Sequence, residues 1–188
     1  LSGLTLKPVL TRDLLPLGSP QLMDLLYALD NHLQGGTLPP EALAPVARFL
    51  SSDRVWVSND LEFDRFRTPR PEIFAAFTSE QVQGLVDATE FGTRSVNRPT
   101  IPMVDEVSLS DARVGTPVAP VMLFTVDDAA PLLRIGGRTV ILDGSGDGIV
   151  ASAAAGVLDG SESVRYAADL TDADWAGVGG ETLLVVTD

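Results

Sequence analysis

Cysteine is absent from the 188-residue sequence, and histidine occurs once, at His32. These absences exclude thiolate catalysis, disulfides, Cys-ligated metals and any metal site built on two histidines. Basic residues are few, since thirteen Lys and Arg stand against twenty-six Asp and Glu, and the net charge is -13. A field of that sign repels phosphate backbones, so we expect no nucleic-acid partner. No stretch of the sequence approaches the roughly 20 apolar residues of a membrane helix, so we expect no membrane span.

Helical periodicity dominates the first third of the chain. Ser19 and Pro20 are typical of an N-cap and a first helical residue, and Gly35 and Gly36 end the leucine repeat that follows. A second helix opens at Pro40, where Pro45 inside the pattern predicts a kink or a later start. We expect two further helices, at 72–77 and 79–89.

Short apolar runs of strand length dominate the last third, at 121–126, 139–142, 164–168 and 182–186. Weaker strand signals precede them at 55–57 and 101–109, and helical patterns at 149–158 and 172–176 lie between the last three runs. This alternation predicts an α/β fold, a mixed or mainly parallel sheet with flanking helices and a helical N-terminal third. We expect a helix-rich portion 1–110 with one or two strands and an α/β portion 111–188 with parallel-type strands, or one continuous domain.

A Gly-rich turn at 143–148 (DGSGDG) separates a predicted strand from a predicted helix. Its glycine spacing is not GxGxxG and no Lys follows, so neither standard phosphate-binding fingerprint is present. We interpret the glycines as turn residues and Asp147 as the cap of the helix. The same letters resemble the opening of a calcium loop, but Ala154 stands where an EF-hand needs its bidentate acid.

Candidate ligand-binding residues are the polar residues that follow predicted strands. Ligands of open parallel sheets bind at the carboxyl ends of the strands, which here carry Asn59, Asp60, Asp143 and Asp147, with Asp127 as a further candidate. His32 lies in the last turn of the first helix, where the helix dipole favours a cation, so we interpret it as a structural residue. Because it is the only histidine, we assign no catalytic residue and no metal ligand. Four scattered aromatics are interpreted as core or rim residues, with a sugar-stacking platform as the alternative: Tyr27, Trp56, Tyr166 and Trp175.

Short stretches spread over the whole chain carry a family resemblance: 12–20 (RDLLPLGSP), 25–30 (LLYALD), 54–61 (RVWVSNDL), 69–71 (PRP), 91–92 (FG) and 184–188 (LVVTD). Together they resemble the actinobacterial alpha-(1→3)-arabinofuranosyltransferases, large membrane enzymes of cell-wall arabinan and arabinogalactan synthesis. The resemblance implies a soluble segment on the extracytoplasmic (periplasmic) side, with the remainder of the parent enzyme as its partner. It also implies decaprenyl-phosphate-arabinofuranose as the parent's donor and no cofactor in this segment.

No position in the chain matches the family's catalytic motif. The leading hypothesis is therefore a non-catalytic accessory segment, which serves as a scaffold or holds the acceptor arabinan near the membrane active site. Two alternatives stay open: a standalone α/β enzyme with an acidic site at the C-terminal ends of its strands, and a sugar- or calcium-binding module.

Overall fold

The structure is a computed structural model that describes residues 18–61, 82–97, 117–131, 133 and 137–187. In these ranges the helices are α1 (Pro20–Gly35), α2 (Leu43–Phe49), α3 (Gly146–Ala154) and α4 (Asp172–Ala176), with 3₁₀ turns at Pro40–Ala42 and Ala167–Asp169. The strands are β1 (Arg54–Ser58), β2 (Leu85–Phe91), β3 (Val121–Val126), β4 (Thr139–Asp143), β5 (Ser163–Tyr166) and β6 (Thr182–Val186).

Capping residues bound α1, whereas α2 begins without a side-chain cap. The Ser19 side chain accepts a hydrogen bond from the Leu22 N–H, and Gly36 ends α1 in the left-handed region at φ 65°. Pro45 lies in the first turn of α2, where its missing N–H has no helical partner to lose, so the 3₁₀ turn precedes a late helix start.

The first sheet is antiparallel and has the strand order β1-β3-β2. Strand β2 corrects a prediction. The helix expected at 79–89 is wrong over 85–89, where the chain forms β2. Gly84, at φ 81°, turns the chain into β2, whose residues then pair with β3. Strand pairing overrides the helix signal here, a capping box of Thr78 with Gln81 in the sequence, since such a signal acts only locally.

The second sheet is parallel and has the order β5-β4-β6, with α3 connecting β4 to β5 and α4 preceding β6. The predicted α/β class with parallel strands and a helical N-terminal part is confirmed. The strands divide between two sheets, however, and the 121–126 run pairs antiparallel with both of its neighbours. The division at residue 110 into two portions stays a prediction.

Two apolar cores meet at α2. Leu43, Ala44 and Ala47 of this helix pack with the inner face of the antiparallel sheet, while Val46 belongs to the core under the parallel sheet. The second core also takes buried side chains from α1, α3 and β4, among them Leu25, Val140, Leu142, Ile149 and Val150. Helix α2 therefore packs against both sheets, and α1 and α3 pack on one face of the parallel sheet, while Ile141 is buried on the other face of β4. The opposite face of the antiparallel sheet points outward.

Several predicted features lie outside the described residues: the extended arm before Gly18, the helix at 72–77, the basic run 65–71 and the strand at 101–109.

Candidate functional site

The Gly-rich turn at the carboxyl end of β4 is closed by a residue that follows β6. The Thr187 N–H donates to the Asp143 carbonyl at 2.9 Å, and the Thr187 side chain lies where a Cβ on Gly144 or Gly148 would stand. The two glycines are thus required by the close approach of Thr187, as well as by the turn. This is the place between neighbouring strand ends where open parallel sheets bind ligands, and here Thr187 fills it. The Thr187 hydroxyl is buried and has no hydrogen-bond partner in the described part of the chain.

A side-chain carboxylate occupies the N-terminus of α3. Asp24, on α1, accepts the Gly146 N–H at 2.6 Å through Oδ2, and the same oxygen accepts the Tyr166 O–H at 3.2 Å. Positively polarised N–H groups at a helix start favour an anion, and Asp24 supplies it from within the chain. Burial, followed by the charge of Asp24 and its hydrogen bond, raises the pKa of Tyr166 well above its usual value.

The capping role predicted for Asp147 is wrong. The N-cap residue of α3 is Ser145, which makes no side-chain cap bond, and the acceptor at the helix start is Asp24 instead. Asp147 lies on the exposed side of the first turn, where its Oδ1 is 3.1 Å from Nε2 of His32. The other ring nitrogen of His32 lies 3.0 Å from the Thr37 hydroxyl, so these groups join the end of α1 to the start of α3.

The other predicted pair, Asn59 and Asp60, follows β1 in the antiparallel sheet, away from the strand ends of the parallel sheet. Asn59 is 2% exposed and holds the chain entering β3, donating through Nδ2 to the Ala119 carbonyl at 3.0 Å. Its backbone carbonyl accepts the Asn97 amide at 2.8 Å. Asn59 Oδ1 is buried without a partner in the described part, and Asp60 is exposed beside it. Asn59 and Asp60 thus follow a strand of one sheet, whereas Asp143 ends β4 of the other sheet and Asp147 lies in the first turn of α3. That they bind a ligand stays a prediction.

Asp127 lies in the turn after β3, where its carbonyl accepts Nε of Arg48 at 2.8 Å. Among the residues that the structure describes, no group of three or more His, Asp or Glu is placed to hold a metal ion.

A cleft of about 360 Å³ opens between the start of α1, the end of α2 and β5. Its polar side chains pair with one another or with neighbouring elements. Gln21 Nε2 donates to Asp169 Oδ2 at 2.7 Å, and Arg165 donates to Asp174 of α4 at 3.0 Å. Apolar walls with mutually satisfied polar groups leave this cleft few free groups with which to orient a ligand.

The outward face of the antiparallel sheet carries two half-exposed aromatic rings. Trp56 on β1 is 51% exposed and Phe91 on β2 is 50% exposed. In the strand register Ser58, Val121 and Phe91 form one row across the sheet, and Trp56, Leu123 and Thr89 form the next. The Trp56 Nε1–H donates to Ser58 Oγ at 2.8 Å, so its indole leans toward the row that holds Phe91. The two residues therefore flank β3, two strand spacings apart across the sheet and one row apart along it, or roughly 12 Å between their backbones.

The sequence predicted Trp56 as a core or rim residue or part of a platform with three other aromatics, but it did not connect Trp56 with Phe91. Tyr27 and Trp175 are exposed on α1 and α4, and Tyr166 lies in the second core. The sequence held one signal for this pairing. Successive side chains of a strand point to opposite faces, and Trp56 and Phe91 both occupy outward positions of their strands. It could be used only once 85–91 was known to be a strand and its register with β3 was known.

No helix in the described ranges combines the length and the apolar character needed to cross a bilayer. A family model matches the chain over residues 1–188, and its GT-C designation places the chain in the class of membrane glycosyltransferases. That model is described as alpha-(1->3)-arabinofuranosyltransferase, N-terminal GT-C domain, and the chain belongs to this family. The family resemblance of the sequence is confirmed, and the rest of the larger enzyme is a partner of this chain. No curated protein and no solved structure matches it.

Proposed function

We propose that this chain is a non-catalytic accessory segment of a membrane arabinofuranosyltransferase of cell-wall arabinan biosynthesis. It lies on the extracytoplasmic side, where it supports the rest of the enzyme and positions the acceptor glycan. The parent's donor is decaprenyl-phosphate-arabinofuranose, as the family resemblance implies. Transfer itself takes place in another part of the parent enzyme.

The observation that carries this proposal is the closure of the place where an α/β enzyme would bind its substrate. Thr187 fills the space over the Gly-rich turn, and Asp24 occupies the start of α3. A nucleotide or sugar phosphate at this position would have to displace both groups. The backbone N–H of Thr187 and the carboxylate of Asp24 each make a hydrogen bond that ties separate elements together, so moving either residue would also loosen the fold.

The experiment compares Asp60→Asn and Asp143→Asn in the parent enzyme, assayed for transfer from the lipid-linked donor to an arabinan acceptor. A general acid or base typically contributes 10²–10⁴-fold to the rate. We expect both variants to keep kcat within about twofold of the unchanged enzyme, like the control Asp172→Asn on the exposed start of α4. A loss of about a hundredfold in either variant, or turnover by this chain alone, would favour the α/β-enzyme alternative and refute the proposal.

A further inference from the structure

We propose that the outward face of the antiparallel sheet, with Trp56 and Phe91 as its anchors, binds a neutral arabinofuranose oligosaccharide. This inference rests on the proposed function and deepens it, because it names the surface on which the acceptor glycan lies. The face that carries it consists of three rows of three residues across β1, β3 and β2: Ser58, Val121 and Phe91; Trp56, Leu123 and Thr89; Arg54, Thr125 and Val86.

The chemistry of this face matches a polyhydroxylated, uncharged ligand. Sugars present apolar C–H faces beside hydroxyl groups, and aromatic rings that are apolar in body and flanked by polar groups complement such a surface. Hydroxyl-bearing residues accompany the rings, namely Ser58, Thr89 and Thr125. Ser58 Oγ accepts the indole N–H and keeps its own O–H as a donor for a ligand.

Charge separates this ligand from the alternatives. The chain has a net charge of -13, yet the three rows contain no acid and a single charged side chain, Arg54. A cationic partner would find no carboxylate on these rows, and a polyanion would meet one guanidinium on a strongly acidic molecule. A neutral glycan needs no carboxylate partner and is not repelled by the acidic chain. The family to which the chain belongs transfers arabinofuranose, which is such a neutral sugar.

The backbone and a side-chain hydrogen bond hold both anchors of this face in place. The Trp56 indole is fixed by its bond to Ser58, so the ring loses little freedom when a ligand stacks on it. Thr89 follows an irregularity in β2, where Asp87 has φ 50° and the register with β3 shifts between Val86 and Thr89. Bulges of this kind change where the following side chains point, and this one brings Phe91 into the row of Ser58 and Val121.

The test is a fluorescence titration of this chain with a short, linear, α-linked arabinofuranose oligosaccharide. Trp175→Phe leaves Trp56 as the only tryptophan, because the chain has two. We expect saturable emission changes in that variant. In separate calorimetric titrations we expect Trp56→Ala and Phe91→Ala each to raise Kd about tenfold, and Trp56→Phe to restore part of the affinity.

The matched control is Trp175→Ala, since Trp175 is 42% exposed but lies on α4 beside the other sheet. It should leave Kd unchanged, and circular dichroism should show that every variant keeps the fold. Absence of binding, or binding that Trp56→Ala and Phe91→Ala leave unaltered, overturns the inference. Neither result touches the non-catalytic assignment, which turnover by the chain would refute independently.

Discussion

Replacing Asp24 by Ala should loosen the joint between α1 and α3. Asp24 Oδ2 accepts two hydrogen bonds, from the Gly146 N–H at 2.6 Å and the Tyr166 O–H at 3.2 Å. A hydrogen bond to a charged acceptor contributes about 1.5–3 kcal/mol, and a longer one from a neutral hydroxyl contributes about 1 kcal/mol. Because Asp24 is only partly buried, solvent screens part of this energy, and we expect a loss of about 2 kcal/mol in the free energy of unfolding.

Urea unfolding followed by circular dichroism measures this loss. With a slope of about 2 kcal/mol per molar urea, the unfolding midpoint should fall by about 1 M. Asp24→Asn should lose less, since its carbonyl oxygen can still accept the Gly146 N–H, and Tyr166→Phe should cost about 1 kcal/mol. The control is Glu181→Gln, an exposed charge change before β6. If Asp24→Ala shifts the midpoint no more than this control, Asp24 does not hold the start of α3.

Two further predictions concern the carboxylate on α4 and the closure over the Gly-rich turn. The Thr171 hydroxyl and N–H, and then Arg165, lower the pKa of Asp174 to about 2, so its stabilising effect is full above about pH 4 and is lost as the pH falls through 2. An NMR titration of its carboxyl carbon should give that midpoint, and Thr171→Ala should move it upward; an unperturbed midpoint would contradict the bonded geometry. Thr187→Val removes a buried hydroxyl that has no partner among the described residues, at nearly constant volume, so thermal unfolding should show unchanged or higher stability. A loss above about 1 kcal/mol would mean that the hydroxyl is bonded.

Local signals in the sequence predicted the elements whose ends are fixed by capping residues. Ser19 and Gly36 bound α1 in the structure because each satisfies backbone groups within one turn of its own position. The strand runs 121–126, 139–142 and 182–186 were also found, since a short continuous apolar run bounded by turn residues favours a strand whatever its partners. The helix predicted at 79–89 was wrong where β2 lies, because pairing with β3 depends on residues about 35 positions away.

The candidate site was predictable only in part. Sequence order identified the Gly-rich turn, but it contained no sign that Thr187 and Asp24 close it, since both contacts join distant parts of the chain. The aromatic face was missed for the same reason. Trp56 and Phe91 come to adjacent rows of one face only through the register of β1 and β2 with β3, and register is a property of the folded sheet.

The role of this chain in positioning the acceptor is best tested by the steady-state kinetics of the parent enzyme carrying Trp56→Ala, with the arabinan acceptor as the varied substrate. If this chain positions the acceptor and takes no part in the reaction, KM for the acceptor should rise about tenfold while kcat stays within about twofold. A fall in kcat at saturating acceptor with KM unchanged would place the chain in the chemical step and contradict the account.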